Sequence, residues 1–228
     1  MQLNQQAQLN GSNALALGFV VVAAVFLTSS FFRRDLYALS PALYWIFDFL
    51  KFVVVPTAAA LVLAKRYGLR PKDYGLRGIA EHETWGHFIG LTIFLALILN
   101  LTYYATWHIA WLLLRPEALP FYQEINPKGV LRIPVTLYMG VTAGLVEEVL
   151  FRGLPLLYLE RRFPKSLPRK RYVLGTALLF GLVHWGDGSH QVIATFAFGV
   201  LAAALYLRLR DLWPLITAHA IIDIYNFA

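Results

Sequence analysis

Two adjacent carboxylates and one arginine stand in a stretch of the chain that is otherwise apolar. The stretch runs over residues 141–159, and its charged residues are Glu147, Glu148 and Arg152. At helical pitch Glu148 and Arg152 share a face and can form an ion pair, whereas Glu147 is rotated about 100° from Glu148. Ionised groups in apolar spans are costly and mark functional sites by default. We interpret Glu147 as a general base held in a dry setting, with a structural salt-bridge network as the alternative.

Two further apolar spans carry polar or aromatic pairs at the same four-residue spacing. Phe180 and His184 share a face of one predicted helix, and His219 and Asp223 share a face of another. A carboxylate such as Glu147 can take a proton from water while His184 orients that water. A ring N–H of His219 can stabilise the oxyanion that develops during amide hydrolysis. Because His, His and Glu also form a known catalytic zinc ligand set, the residues leave both mechanisms open.

The composition indicates the class of protein that must position these groups. Of the 228 residues, 58% are hydrophobic and 14% are charged, whereas soluble proteins carry about 25% charged residues. The mean hydropathy is +0.57. The net charge of +7 comes from basic residues in short loops between apolar runs, as in membrane proteins, so we predict no nucleic-acid partner. The absence of cysteine excludes thiolate zinc sites and cysteine nucleophiles.

Apolar runs divide the chain into about seven candidate membrane spans. They predict an all-α, polytopic transmembrane helical bundle with a polar intramembrane cavity, in a single domain of residues 1–228. We expect the charged residues 33–35 to end the first span, and Asp48 and Lys51 to form a buried ion pair between helices. The predicted spans are 14–32, 36–64, 86–114, 133–159, 172–185, 190–207 and 212–227.

Lysine and arginine residues are distributed unevenly between the loops. With the N-terminus in the cytoplasm, thirteen of them fall in cytoplasmic loops and five in external loops. Because cytoplasmic loops of membrane proteins are enriched in basic residues, we predict that the N-terminus and the loop Glu160–Arg171 are cytoplasmic. The turn Gly186–Ser189 should then face the other side. We predict that the chain is a multi-pass membrane protein, located in the plasma (inner) membrane if the source is prokaryotic.

The three groups of residues, taken in order, resemble the motifs of a known protease family. This is the CAAX prenyl endopeptidase and bacteriocin-processing family (CPBP or Abi), whose members are glutamate-type intramembrane proteases. The resemblance covers about residues 69–228 and leaves the N-terminal spans at 14–64 outside it. It implies an endopeptidase that processes CAAX-type tails, leaders or sorting signals of membrane-associated proteins or peptides. The matching motifs are Glu147-Glu148-x-x-x-Arg152, Phe180-x-x-x-His184 and His219-x-x-x-Asp223, preceded by Gly75-Leu76-Arg77.

The resemblance also implies a role for each residue of the site. By analogy Glu147 is the general base, His184 positions the water, and His219 with the residue four positions on forms the oxyanion site. That residue is Asp223, where the eukaryotic-type enzymes have asparagine. Because an ionised aspartate cannot donate to an oxyanion, Asp223 is protonated, orients His219 or belongs to a metal site.

We predict a mechanism without a cofactor, and three alternatives remain open. Zinc held by Glu147, His184 and His219 would make the same site a metalloprotease. The residues Glu147, His184 and Asp223 could instead relay protons in a transporter. The sequence shows none of the inverted repeats that are usual in transporters. The third alternative is a catalytically idle immunity or scaffold protein that keeps the fold.

Overall fold

The fold is that of a bundle of long helices. The computed structural model describes residues 2–77, 84–114, 125 and 128–227, so parts of the two longest predicted loops lie outside the described residues. Within these ranges the chain forms seven helices, a few short 3₁₀ turns and no strand, which confirms the predicted all-α bundle of about seven segments. The helices are α1 (Gln2–Leu39), α2 (Pro41–Tyr67), α3 (Trp85–Leu114), α4 (Gly129–Arg162), α5 (Arg169–Leu182), α6 (Ser189–Leu209) and α7 (Trp213–Phe227).

Five of these seven described helices are long and apolar enough to cross a membrane, namely α1 to α4 and α6. The helices α5 and α7 have only 14 and 15 residues. At the α-helical rise they extend about 21–23 Å, which is less than the hydrocarbon core of about 30 Å. The His219 motif lies on α7, and His184 follows the end of α5. Two of the three predicted motifs are therefore carried by the short helices of the bundle.

The first corner of the bundle differs from the prediction. The charged residues 33–35 do not end the first span, because α1 continues through them to Leu39. The chain turns at Ser40, whose extended backbone and side chain cap the next helix, and α2 begins at Pro41. Charged side chains leave the helical hydrogen bonds intact, whereas proline has no N–H and favours the first position of a new helix. The boundary therefore follows Ser40 and Pro41 rather than the charges.

The helices α2 and α4 each contain one π-helical turn, at Leu50–Val54 and at Val149–Gly153. In both helices a proline lies two residues after the π turn, at Pro56 and Pro155. Proline cannot continue the α-helical hydrogen bonds and its ring clashes with the preceding turn, so a wider turn at this point leaves room for the ring. Such π turns are frequent at functional sites, and each of these two contains a basic residue that is described below.

A close contact between α4 and α7 brings two of the predicted motifs together. A Cβ atom added at Gly144 would lie 2.9 Å from the backbone N of Ala220 and from the backbone O of Ile216. The two helix backbones can therefore approach this closely only because position 144 has no side chain. One turn further along α4, this approach places Glu148 next to His219.

Loop residues that were predicted to share one side of the membrane lie together in the structure. Arg33 at the end of α1 forms an ion pair with Asp187 in the turn before α6. Glu160 at the end of α4 forms an ion pair with Arg210 after α6. These contacts agree with the predicted alternation of the helices. Which of the two sides is cytoplasmic stays a prediction.

Cysteine labelling will assign the two sides. The chain contains no cysteine, and Ser166 and Ser189 are exposed on opposite ends of α5 and its flanking loops. In intact cells, a membrane-impermeant maleimide should react with Ser189→Cys and should reach Ser166→Cys only after the membrane is opened, because the loop around Ser166 is strongly basic. Labelling of Ser166→Cys in intact cells would overturn the predicted orientation.

Candidate active site

A cavity of about 940 Å³ lies within the bundle, and its wall includes residues of α1, α2, α4, α6 and α7. Neither Glu148 nor Arg152 belongs to this wall. The structure therefore brings predicted residues from three motifs to one cavity and places the predicted ion pair behind them. The motif residues that line the cavity are Glu147, Phe180, His184, His219 and Asp223.

The ion pair predicted between Glu148 and Arg152 is present. The distance from Arg152 Nη1 to Glu148 Oε1 is 3.3 Å, and both side chains are only 1% exposed. The guanidinium carbon of Arg152 lies 4.3 Å from the centre of the Phe180 ring, which stabilises the cation further. The hydroxyl of Tyr172 donates to the backbone O of Arg152 at 3.2 Å and holds this turn against α5. The pair is thus a buried element of the bundle.

The imidazole of His219 is oriented by Glu148. Its Nδ1 lies 2.8 Å from Glu148 Oε1, a hydrogen bond between α7 and α4. Because an ionised carboxylate only accepts, the proton of this bond belongs to Nδ1. The other ring nitrogen, Nε2, is 3.9 Å from Glu147 Oε2 and 3.6 Å from Asp223 Oδ2. Both distances exceed a hydrogen bond, so Glu148 makes the orienting contact that the sequence analysis considered for Asp223.

The second histidine is oriented by the backbone. His184 Nδ1 lies 2.7 Å from the carbonyl O of Phe180. A carbonyl oxygen can only accept, so Nδ1 donates and the lone pair of the neutral ring lies on Nε2. The rings of Phe180 and His184 meet edge to face at 4.9 Å, which is the pairing predicted from their spacing. His184 thus presents a hydrogen-bond acceptor within the cavity wall.

Helix α1 holds the turn that follows His184, a contact that sequence reasoning missed. The backbone N of Gly186 donates to Ser30 Oγ at 3.0 Å, and Arg33 pairs with Asp187. A Cβ atom at Gly186 would collide with the backbone of Ser30, so glycine permits this approach. The sequence shows opposite charges at positions 33 and 187, but it gives no indication that the two residues are in contact.

The predicted ion pair between Asp48 and Lys51 requires a correction. Lys51 Nζ lies 3.9 Å from Asp48 Oδ1, and both residues are on α2, so the pair does not join two helices. The link between helices is instead a hydrogen bond from the hydroxyl of Tyr138 on α4 to Asp48 Oδ2, at 3.0 Å. Both Asp48 and Lys51 line the cavity, as the sequence analysis did not anticipate.

The alternative of a zinc site requires at least three ligand side chains close together. No three His, Asp or Glu side chains within the described ranges are grouped closely enough to hold a metal ion. The set Glu147, His184 and His219 therefore does not fit zinc as these side chains stand. The metal-free mechanism stays a prediction, for which an experiment is described below.

Comparison with known protein families agrees with this geometry. A family sequence model described as type II CAAX prenyl endopeptidase Rce1-like matches residues 129–225. This segment contains all seven predicted motif residues between Glu147 and Asp223. Residues 129–225 are therefore similar to the Rce1-like CAAX prenyl endopeptidases. The resemblance deduced from the three motifs is thereby confirmed. No curated protein sequence and no solved structure matches the chain.

The Rce1-like domain and the apolar helices together define the general class of the protein. Several helices can cross a membrane, as in an integral membrane protein, and residues 129–225 are similar to a family of CAAX-type endopeptidases. The matched segment begins at α4, so α1 and α2 lie outside it. These two helices nevertheless supply a large part of the cavity wall. The site is therefore completed by helices that precede the matched segment.

Proposed function

We propose that the protein hydrolyses a peptide bond of a membrane-associated protein, using water activated by Glu147 and no metal ion. The observation that carries this proposal is the difference between the two glutamates. Glu147 lines the cavity and approaches His219 Nε2 only to 3.9 Å. Glu148 lies behind the wall, bound to Arg152 and to His219. A carboxylate that faces the cavity and is not consumed by an ion pair is suited to accept a proton.

The proposed reaction begins with a water molecule between Glu147 and His184. Glu147 takes one proton from this water, while Nε2 of His184 accepts a hydrogen bond from its other hydrogen. The water oxygen attacks the scissile carbonyl carbon, and the carbonyl oxygen becomes an oxyanion. A proton on Nε2 of His219 donates to this oxyanion, with the ring held in place by Glu148. Glu147 then passes its proton to the leaving amine, and the carbon–nitrogen bond breaks.

The wall of the cavity supports an apolar, membrane-bound substrate. Helices α1 and α2 contribute apolar side chains to it, among them Val25, Phe26, Phe47 and Phe52. Such a wall favours the lipid chain of a modified peptide over a free polar peptide. The matched family likewise favours an endopeptidase over the transporter that was predicted as an alternative.

Cleavage in reconstituted membranes tests the proposed function. Purified protein in lipid nanodiscs should release a C-terminal tripeptide from a farnesylated peptide that ends in cysteine, two aliphatic residues and a variable residue. Mass spectrometry identifies the bond that is cut. The same peptide without the farnesyl group and a bacteriocin-type leader peptide serve as comparison substrates. Failure of the wild type to cut any of the three would contradict the proposal.

The roles of Asp223 and of a metal can be decided together. Without a metal, chelators should leave activity unchanged and elemental analysis should find no stoichiometric zinc. The substitution Asp223→Asn should then keep or raise the cleavage rate, because an amide N–H donates to an oxyanion whereas an ionised carboxylate cannot. If Asp223 supports a zinc site, the same substitution should weaken metal binding by about 10–100-fold. One equivalent of zinc, lost together with activity in Asp223→Asn, would overturn the metal-free mechanism.

A further inference from the structure

Lys51 places an ammonium group in the cavity wall, on a helix that lies outside the matched segment. It belongs to the π turn Leu50–Val54 of α2, and its side chain is 20% exposed. Ten residues separate it from the start of α2 at Pro41, which corresponds to about 15 Å along the helix. A lysine at such a depth in an apolar helix is costly and is usually retained for a function.

The contacts of Lys51 leave its N–H donors available. Asp48 Oδ1 is 3.9 Å from Nζ, which is too long for a hydrogen bond. The other oxygen of Asp48 accepts from the hydroxyl of Tyr138. The ammonium lies 4.3 Å from the centre of the Phe52 ring and 5.2 Å from that of Phe26. Aromatic faces stabilise the cation without consuming its three hydrogen-bond donors.

The other cations near the cavity are committed to closer partners. Among the described residues of the wall, Arg33 and Lys51 are the only lysine or arginine side chains. Arg33 forms an ion pair with Asp187, and Arg152 lies behind the wall beside Glu148. Lys51 is thus the cation of the wall best placed to take up an anion that enters the cavity.

We infer that Lys51 binds the terminal carboxylate of the substrate and thereby selects peptides that end in a free acid. The inference rests on the proposed function and adds a specificity-determining residue to it. Lys51 and Glu147 line the same cavity, as a short C-terminal segment spanning the two residues requires. A carboxylate is attracted to Lys51, although Asp48 at 3.9 Å from Nζ reduces this attraction, and it is repelled by Glu147 and Asp223. The charges of the wall therefore favour one direction of the peptide. A side-chain carboxylate near the C-terminus has the same chemistry and must be distinguished by experiment.

Three farnesylated peptides of one sequence test this inference on the reconstituted protein. The first ends in a free acid, the second in a carboxamide, and the third in a carboxamide with glutamate as its last residue. The wild type should cut the free acid with a kcat/KM about 10–100-fold above that of the plain carboxamide. This factor corresponds to the loss of one charged hydrogen bond, which the carboxamide cannot form with Lys51. Lys51→Met has a similar length and no charge, so it should cut the free acid as slowly as the carboxamide. The ratio of the two rates should therefore approach one in Lys51→Met, whereas Lys51→Arg should keep the preference for the free acid.

Each other outcome counts against the inference. Equal wild-type rates on acid and carboxamide would overturn it, as would a Lys51→Met variant that slows both peptides alike. If the wild type cuts the carboxamide peptide that ends in glutamate as fast as the free acid, the group bound by Lys51 is a side-chain carboxylate and not the terminal one. If Lys51→Met does not accumulate, Lys51→Gln gives the same comparison. A wild type that cuts none of the peptides would instead remove the proposed function on which the inference rests.

Discussion

Replacing Glu147 by glutamine should lower peptide cleavage by about 10²–10⁴-fold while the protein stays folded, as expected for the loss of a general base. Glutamine has nearly the same size as glutamate, but its amide cannot take a proton from water. Glu147 is 7% exposed and lines the cavity, and it lies 3.9 Å from the nearest nitrogen of His219. Little packing energy therefore depends on its charge. The rate on a farnesylated peptide and the thermal unfolding temperature together check this prediction.

A substitution at Ser29 provides a matched control for Glu147→Gln. Ser29 also lines the cavity, and its hydroxyl donates only to the backbone O of Phe26 within α1. Ser29→Ala should therefore change the cleavage rate by less than about threefold, since it removes one local hydrogen bond on the order of 1 kcal/mol. A Glu147→Gln variant with activity as high as that of Ser29→Ala would exclude Glu147 as the base.

Replacing Glu148 by glutamine should destabilise the protein by about 3–5 kcal/mol, because it leaves the charge of Arg152 buried without a counter-ion. The side chains of Glu148 and Arg152 are each 1% exposed. The same change removes the charged acceptor of His219 Nδ1, so activity should fall as well. Thermal or denaturant unfolding in nanodiscs measures the loss, with Glu147→Gln as the reference variant. Equal stability of the two glutamine variants would contradict the different roles proposed for the glutamates.

A double substitution separates charge from packing at this pair. Glu148→Leu combined with Arg152→Met removes both charges and keeps apolar volume in their place. Because replacing a buried ion pair by apolar groups is often nearly neutral, this variant should be more stable than Glu148→Gln alone. It should still be inactive, since His219 would have lost the group that orients it. A double variant less stable than Glu148→Gln would show that Arg152 does not require its counter-ion.

The orientation of the chain also decides which part of the cavity wall lies towards the cytoplasm. The wall includes Arg33 and Asp187, which meet at the end of the bundle that has fewer basic residues. If this end is external, as the distribution of basic residues predicts, this part of the wall lies towards the external side. The labelling of Ser189→Cys, two residues after Asp187, therefore also reports the side on which this part of the wall lies.

Local geometry within single helices could be predicted from the sequence. The all-α class followed from the apolar runs, and the pairing of Glu148 with Arg152 followed from helical pitch. The spacing of four residues also predicted the contact between Phe180 and His184, although His184 lies in the turn just after α5. The predicted corner at residues 33–35 is wrong, because Ser40 and Pro41 end the hydrogen-bonded helix whereas charged side chains do not. These features depend on neighbours within about one helical turn, which a sequence displays directly.

Contacts between helices were decided by the tertiary structure alone. The hydrogen bond from His219 to Glu148 joins residues 71 positions apart, and the one from Gly186 to Ser30 joins residues 156 positions apart. Helical periodicity says which residues share a face, but it does not say which helix lies opposite that face. That choice depends on where backbones can approach closely, as α4 and α7 do at Gly144. The sequence by itself therefore determined the candidate residues of the site and their local pairs. Packing of the helices decided that one glutamate faces the cavity, that the other holds His219, and that Lys51 joins the wall.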